Sequence, residues 1–212
     1  MSRPPSIGEV VVAVAGGLTE ARDLLNRLDG VAGDGDLGLT AGRAAEALVE
    51  LAPSLDGLSA AEALKSVGMT LAKRAPSTGG TLIAFACLAA ARVEPDEGQP
   101  AAAAIADRLD AAAGEIARRG KVGPGDRTML DALAPAAAAF RAAAAAGSAV
   151  AACLAAAAAA ADAGSTSTVA MEPTTGRAAW LADRARGHED AGARLVAIIL
   201  EAASAAVPAA GA

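Results

Sequence analysis

The chain has 212 residues and a mass of 20.4 kDa, enough for one domain with a useful core and for two at most. Lys and Arg number 18 against 24 Asp and Glu, a net charge of −6 with a pI near 4.8, which excludes a nucleic-acid binder that works by neutralising phosphates. Hydrophobic residues make up 54% but aromatics only 1%, and the surplus is almost all Ala, which favours closely packed helices over a sheet and excludes disorder and collagen.

In chain order, Ser6-Ile-Gly-Glu9 is a capping box, and Ile7, Val10, Val14, Leu18, Leu25 and Leu28 recur at helical spacing, which predicts a first helix ending before Gly30. Residues 28–38, LDGVAGDGDLG, read as a loop, because four glycines sit poorly in any regular element. Thr40 is positioned to cap a helix through about Leu51, and Ser59-Ala-Ala-Glu62 is a second capping box before the stripe Leu64, Val67, Leu71. A break at APSTGG, residues 75–80, precedes Gly80–Val93, apolar almost all round and so expected as a central helix surrounded by others. A helix carrying Ile105, Leu109, Ala112 and Ile116 follows, then the basic loop RRGKVGPGD at 118–126. Asp126 is the expected cap for the helix of Met129, Leu130, Leu133 and Phe140. Ser148 is the expected cap for an Ala-rich helix to about Gly164, and Leu195–Val207 lies in a final helix.

No strand pattern or internal repeat stands out, so the chain is expected to be all-α, a single domain over 1–212 of about eight helices with its functional residues on Gly-rich loops. Cys87 and Cys153, in apolar surroundings without CxxC spacing, read as reduced core thiols. The N-terminus has too short an apolar run for secretion. Residues 142–161 are uncharged over a membrane-spanning length, but Ala is nearly neutral for insertion and Gly147-Ser148 interrupts the run. A helix end, a break and a buried helix are expected there, in a cytoplasmic protein.

The sharpest constellation is Asp29, Asp34 and Asp36. Three carboxylates within eight residues repel one another unless a cation sits among them, and the interleaved glycines let the backbone fold round one. The spacing is not that of an EF-hand, and Mg²⁺, which takes few carboxylates plus phosphate oxygens, fits better. APSTGG offers N–H groups and the Ser77 or Thr78 hydroxyl at a helix start, as phosphate loops do, but lacks the Lys of a Walker loop. His188, in R-G-H-E-D, reads as a loop-bracing residue, and no nucleophile motif suggests a hydrolase.

Taken together, L-D-x-x-x-G-D-G-D-x-G, G-M-T-L, the small-residue loop, R-G-K-x-x-P-G-D-R-T-M-x-D and G-R-A-x-W-L-x-x-R-x-x-G-H-x-D-x-G-A resemble the nucleotide-binding L subunit of dihydroxyacetone kinase over residues 6 to about 205. The resemblance implies an antiparallel eight-helix barrel with the nucleotide in loops at one end. It implies two Mg²⁺ ions on Asp29, Asp34 and Asp36, bridging the phosphates of ADP or ATP. Gly38, Thr40, Thr78 and Gly79 would line the phosphates, and Gly120 and Met129 would border the adenine. Arg177 would hold the phosphate chain as the catalytic cation, and Asp190 and Gly192 would close the pocket. The implied reaction is phosphoryl transfer to a hydroxyl of dihydroxyacetone or a related small ketose held on a separate K subunit. In one form of the family a phosphotransferase-system M subunit recharges a resident ADP; in the other ATP exchanges. Two positions depart from the pattern: Leu37 stands where the family has His, and Pro76 replaces a small residue, removing an N–H donor. Leu37 keeps open a second reading, a nucleotide-sensing module without the chemistry.

Overall fold

The computed structural model describes residues 3–174, 179 and 181–208, which hold ten α-helices and no strand. They are α1 (Ile7–Glu20), α2 (Arg22–Ala32), α3 (Leu37–Leu51), α4 (Ala60–Arg74), α5 (Thr78–Ala90), α6 (Ala101–Gly120), α7 (Leu130–Ala145), α8 (Val150–Ser167), α9 (Ala182–Ala185) and α10 (Ala191–Ala206). Eight of them close a ring in the order α1, α3, α4, α5, α6, α7, α8, α10 and back to α1, each packed on the next. The approach of Gly79 to Leu37 and Met129, and of Gly192 to Met129, puts the starts of α3, α5, α7 and α10 at one end of the barrel, so those of α1, α4, α6 and α8 lie at the other. The expected eight-helix barrel is what the chain forms, with α2 continuing α1 and packing on α3, α9 and α10.

The interior has two unequal halves. Phe140, Ile116, Leu133 and Cys153 anchor one cluster of buried side chains among α5, α6, α7, α8 and α10. Leu18, Leu25, Leu48 and Leu71 anchor the other, among α1 to α5 and α10. Alanines make up more than half of the buried residues in both clusters, and an apolar cavity of about 120 Å³ remains in the second, lined by Leu18, Leu37, Thr40, Leu71, Cys87 and Leu195 among others. Both cysteines are free thiols, and burial pushes Cys87 up to about 11, so it is inert.

Several boundaries differ from the sequence expectation, each for a local reason. The first helix is two, broken at Ala21, and α2 runs past Gly30 to Ala32, which places Asp29 on a helix. The Asp-rich loop shrinks to residues 33–36. α3 begins at Leu37 and not after Thr40, because side chains from α2 cap it; Thr40 sits in the first turn with its N–H on Asp36 O at 3.0 Å. α5 spans Thr78–Ala90, started by Ser77 Oγ accepting from Gly80 N at 3.0 Å, and it is one stave of the ring, not a helix enclosed by others. Only Ala84, Ala86 and Ala90 of α5 are buried. Asp126 does not cap α7: its carboxylate accepts from Gly123 N at 2.6 Å and from Thr174 Oγ1, and Asp131 closes the turn before the helix. α8 starts at Val150 without Ser148 as its cap and passes Gly164 to Ser167. Gly164 is a packing residue: a β-carbon there would lie 2.2 Å from Asp131 O, the carbonyl that Pro135 leaves without a helical donor. The stretch Val150–Ala170 is long and apolar enough to cross a membrane by length and composition, and here α8 packs between α7 and α10.

Candidate metal and nucleotide site

The site is built from the end of the barrel where α3, α5, α7 and α10 begin. Four residues, one from each, meet there. A β-carbon on Gly79 would lie 3.7 Å from Leu37 Cδ1 and 3.8 Å from Met129 Cε, and one on Gly192 would lie 3.4 Å from Met129 Cβ. The two glycines thus leave room that any side chain would fill. Each helix start carries roughly half a positive charge, so the convergence favours an anion.

Beside this hub stand the carboxylates. Asp29, Asp34 and Asp36 each offer one oxygen, and the three oxygens lie within 4.8 Å of one another, Asp29 half-buried and the other two exposed. Asp36 immediately precedes Leu37, so the triad borders the hub. Asp29 Oδ2 accepts from Asp36 N at 3.0 Å and Leu37 N at 3.3 Å. Gly33 lies against its other oxygen, where a β-carbon would come within 2.1 Å. Three hard oxygen donors of net charge −3 suit a hard divalent cation, and the exposure of two of them leaves it open to a ligand's own oxygens. On donor chemistry the residues fit Mg²⁺.

The other expected site residues fall as follows. Gly38 is buried on α3, with its N–H held by Asn26 Oδ1 at 2.7 Å, and a β-carbon there would lie 2.0 Å from Arg22 O, so its place is the close approach of α3 to α2. Thr40 is buried and faces the cavity below the hub. Thr78 is the exposed first residue of α5 and Gly79 follows it in the hub. Gly120 ends α6 and opens the loop whose far end is Met129, itself buried. Asp190 caps α10, accepting from Ala193 N at 2.8 Å. Its carboxyl is enclosed although the residue keeps some exposure; desolvation pushes it up to about 6, against the Ala193 N–H and the Arg127 charge that favour the ionised form, while Asp131 adds to the rise. Arg177 lies outside the described residues, as does Trp180.

Three residues that carry the geometry had no role in the sequence reading. Asn26 caps α3 from α2. Asp131 accepts from Gly125 N at 2.5 Å and Thr128 N at 2.8 Å, fixing the turn that presents Met129. Arg127, buried and in the left-handed region at φ 61°, donates Nε to Thr168 O at 3.2 Å and Nη2 to Ala185 O at 2.8 Å and His188 O at 2.7 Å. Thr168 in turn accepts from Asp190 N at 2.9 Å. One guanidinium so ties the α6–α7 loop to the segment that leads into α10. His188 braces that segment through its backbone carbonyl. Asn26 was visible as the residue one turn before Asp29 on a common face; a non-glycine residue at positive φ leaves no sequence signal.

The chain is similar to known proteins over most of its length. The chain is 32% identical over 188 residues to D-erythrulose kinase of Mycolicibacterium smegmatis, covering 88% of this chain and 32% of that protein. It is 29% identical over 179 residues to the ADP-binding subunit DhaL of the PEP-dependent dihydroxyacetone kinase of Escherichia coli, covering 84% of this chain and 85% of that one. The crystal structure of the dihydroxyacetone kinase from C. freundii in complex with AMP-PNP and Mg²⁺ superposes with a TM-score of 0.75 at 25% identity, covering 97% of this chain and 35% of that chain. The chain spans about a third of the length of the erythrulose kinases and triokinases it matches. The DAK2 domain model matches residues 31–205, from the last turn of α2 into α10, and the chain belongs to the DAK2 domain family.

Proposed function

We propose that this chain is the nucleotide-binding part of a small-ketose kinase, acting as one domain over 1–212. The observation that carries the reading is the carboxylate triad set beside four converging helix starts, with room left by Gly79 and Gly192. Asp29, Asp34 and Asp36 would hold Mg²⁺, two ions as the resemblance implies, and the metal would neutralise charge on the nucleotide phosphates. Gly79, Thr78 and the helix starts would receive the phosphates of ADP or ATP. Met129 offers a polarizable thioether to the adenine, with Gly120 at the loop's other end and Asp190 and Gly192 closing the wall. Gly38 and Thr40 would support the phosphate side from α3. Arg177 is the proposed cation on the phosphoryl group.

The acceptor would be a hydroxyl of dihydroxyacetone or a four-carbon ketose, held on a K-type partner subunit. The DhaL-type and erythrulose-kinase relatives support that class. An M-type phosphotransferase subunit as recharging partner is the corresponding proposal if ADP stays bound. A cytoplasmic location fits these assignments. Leu37 favours ATP exchange, because an apolar side chain beside the hub gives no charge-assisted hydrogen bond to a phosphate. It also favours the second reading, a nucleotide-sensing module.

Thermal-shift titration tests the binding step: Mg²⁺ and ADP added together raise the melting temperature, since a ligand of the native state alone must stabilise it. No shift with either nucleotide would sink the proposal. Phosphotransfer assayed with and without a K-type partner separates kinase from sensor.

A further inference from the structure

We propose that Asn26 is a positioning residue for the carboxylate triad, setting divalent-cation affinity without touching the cation; this rests on the metal reading above. The three oxygens converge only if the start of α3, which carries Asp36, is held against the last turns of α2, which carries Asp29. That hold is made by two side chains of α2. Asn26 Oδ1 accepts from Gly38 N at 2.7 Å and Leu39 N at 3.3 Å, and Asp29 Oδ2 accepts from Asp36 N and Leu37 N. Asp36, the residue at the N-cap position, makes no side-chain cap to α3, so the leading N–H groups are satisfied from the preceding helix.

The two capping side chains differ in what a cation does to them. Asp29 is itself a member of the triad, so a bound cation draws on the same carboxylate that caps α3. Asn26 is neutral, lies one turn earlier on the same face of α2, and serves α3 whether or not the cation is present. It adds no fourth negative charge to the site. The fit is close on every side: a β-carbon at Gly38 would come within 2.6 Å of Asn26 Oδ1 and 2.0 Å of Arg22 O, so α3 seats on α2 with no slack. Only the amide oxygen can accept these two bonds, which fixes the orientation of the amide. Without it the start of α3 rests on Asp29 alone, the carboxylate that a cation also draws on, and Asp36 is the residue that fraying would displace.

The experiment is calorimetric titration of Mg²⁺ into the full chain at a fixed ADP concentration, with amide exchange and melting temperature read on the same samples. Asn26→Leu, which removes the acceptor at similar size, weakens Mg²⁺ by about tenfold or more, the scale of a lost outer-shell support. Asn26→Asp keeps the accepting oxygen and adds a negative charge, so it binds Mg²⁺ no more than about threefold more weakly than wild type. Asn26→Gln, which shifts the amide by one methylene, falls between, and the Gly38 and Leu39 amides exchange faster in the Leu and Gln variants before any Mg²⁺ is added. A residue with only a structural role would lower the melting temperature and leave the affinity of the folded protein alone. Asn26→Leu or, if that variant does not fold, Asn26→Gln binding Mg²⁺ as wild type does overturns the proposal, as does a tenfold loss in Asn26→Asp. Asp34→Asn is the control: if it binds Mg²⁺ like wild type, the metal reading itself fails, and if it loses Mg²⁺ while the Asn26 variants do not, only the Asn26 assignment fails.

Discussion

Helices α1 and α4, at the end away from the site, and α3, at the site end, start by different means. At the end away from the site, α1 and α4 begin with self-contained capping boxes: Ser6 and Glu9 exchange bonds of 2.7 and 3.2 Å, and Ser59 and Glu62 bonds of 2.9 and 3.3 Å. At the site end, α3 borrows its caps from α2, and the turn before α7 is closed by an acid that already belongs to α7. A local cap stabilises one helix and can be replaced at small cost. A borrowed cap fixes one helix relative to another, which is what a site assembled from several chain segments requires.

Four predictions break or sharpen this contrast. The largest effect is expected at the triad: Asp34→Asn or Asp36→Asn loses Mg-nucleotide affinity by about a thousandfold, or about 4 kcal/mol, with the fold kept, because each removes a ligand charge from an exposed loop. Calorimetry decides, and binding as tight as wild type would remove the triad from the site. Next comes Gly38→Ala, which forces a β-carbon to 2.0 Å from the Arg22 carbonyl and should cost about 3 kcal/mol in chemical denaturation. Its counterpart away from the site, Gly16→Ala, has open space around it and should gain about 0.5–1 kcal/mol; equal effects at the two glycines would contradict the close seating of α3.

The third concerns pH. Asp190 is held near 6, above the ordinary 3.8, so the native state keeps its proton more tightly than the unfolded chain. Its contribution to stability is therefore full below about pH 4 and is lost as pH rises to about 6, staying lost at neutral pH. Asp190→Asn keeps an acceptor for the Ala193 N–H and should raise stability at pH 7 by on the order of 2 kcal/mol while flattening the change between pH 4 and 6. Melting curves across that range that run parallel for the two proteins would refute the assignment. The smallest effect is expected from Ser6→Ala, about 1 kcal/mol from the lost cap, with nucleotide affinity unchanged.

Local signals made much of the molecule legible. Capping boxes, the helical recurrence of Leu and Val and the Gly/Pro breaks located all eight staves, and the acidic spacing located the triad. What escaped the sequence was set by contacts between segments. Gly30 and Gly164 look like helix breakers, yet both lie inside helices, Gly164 because α8 must pass Asp131 O at close range. Thr40, Asp126 and Ser148 have the right chemistry for caps, but their helices start elsewhere, α3 because its donors are met from α2 and α7 because Asp131 closes the turn before it. The apolar run of α5 suggested enclosure, whereas a barrel stave meets two neighbours and an interior without being surrounded. Arg127 could not be foreseen as a brace, since its three acceptors are backbone carbonyls far along the chain.

The cavity of about 120 Å³ lies in the half of the interior that carries α3 and borders the triad. Hydrostatic pressure favours whichever state occupies less volume, and internal space eliminated on unfolding shifts that balance by some tens of mL/mol. In the other half the fully buried Phe140 ring fills the interior. Compression should therefore loosen α1 to α4 before it loosens α6 to α8, so that the metal-bearing side of the barrel yields first while the wall beside Met129 still stands.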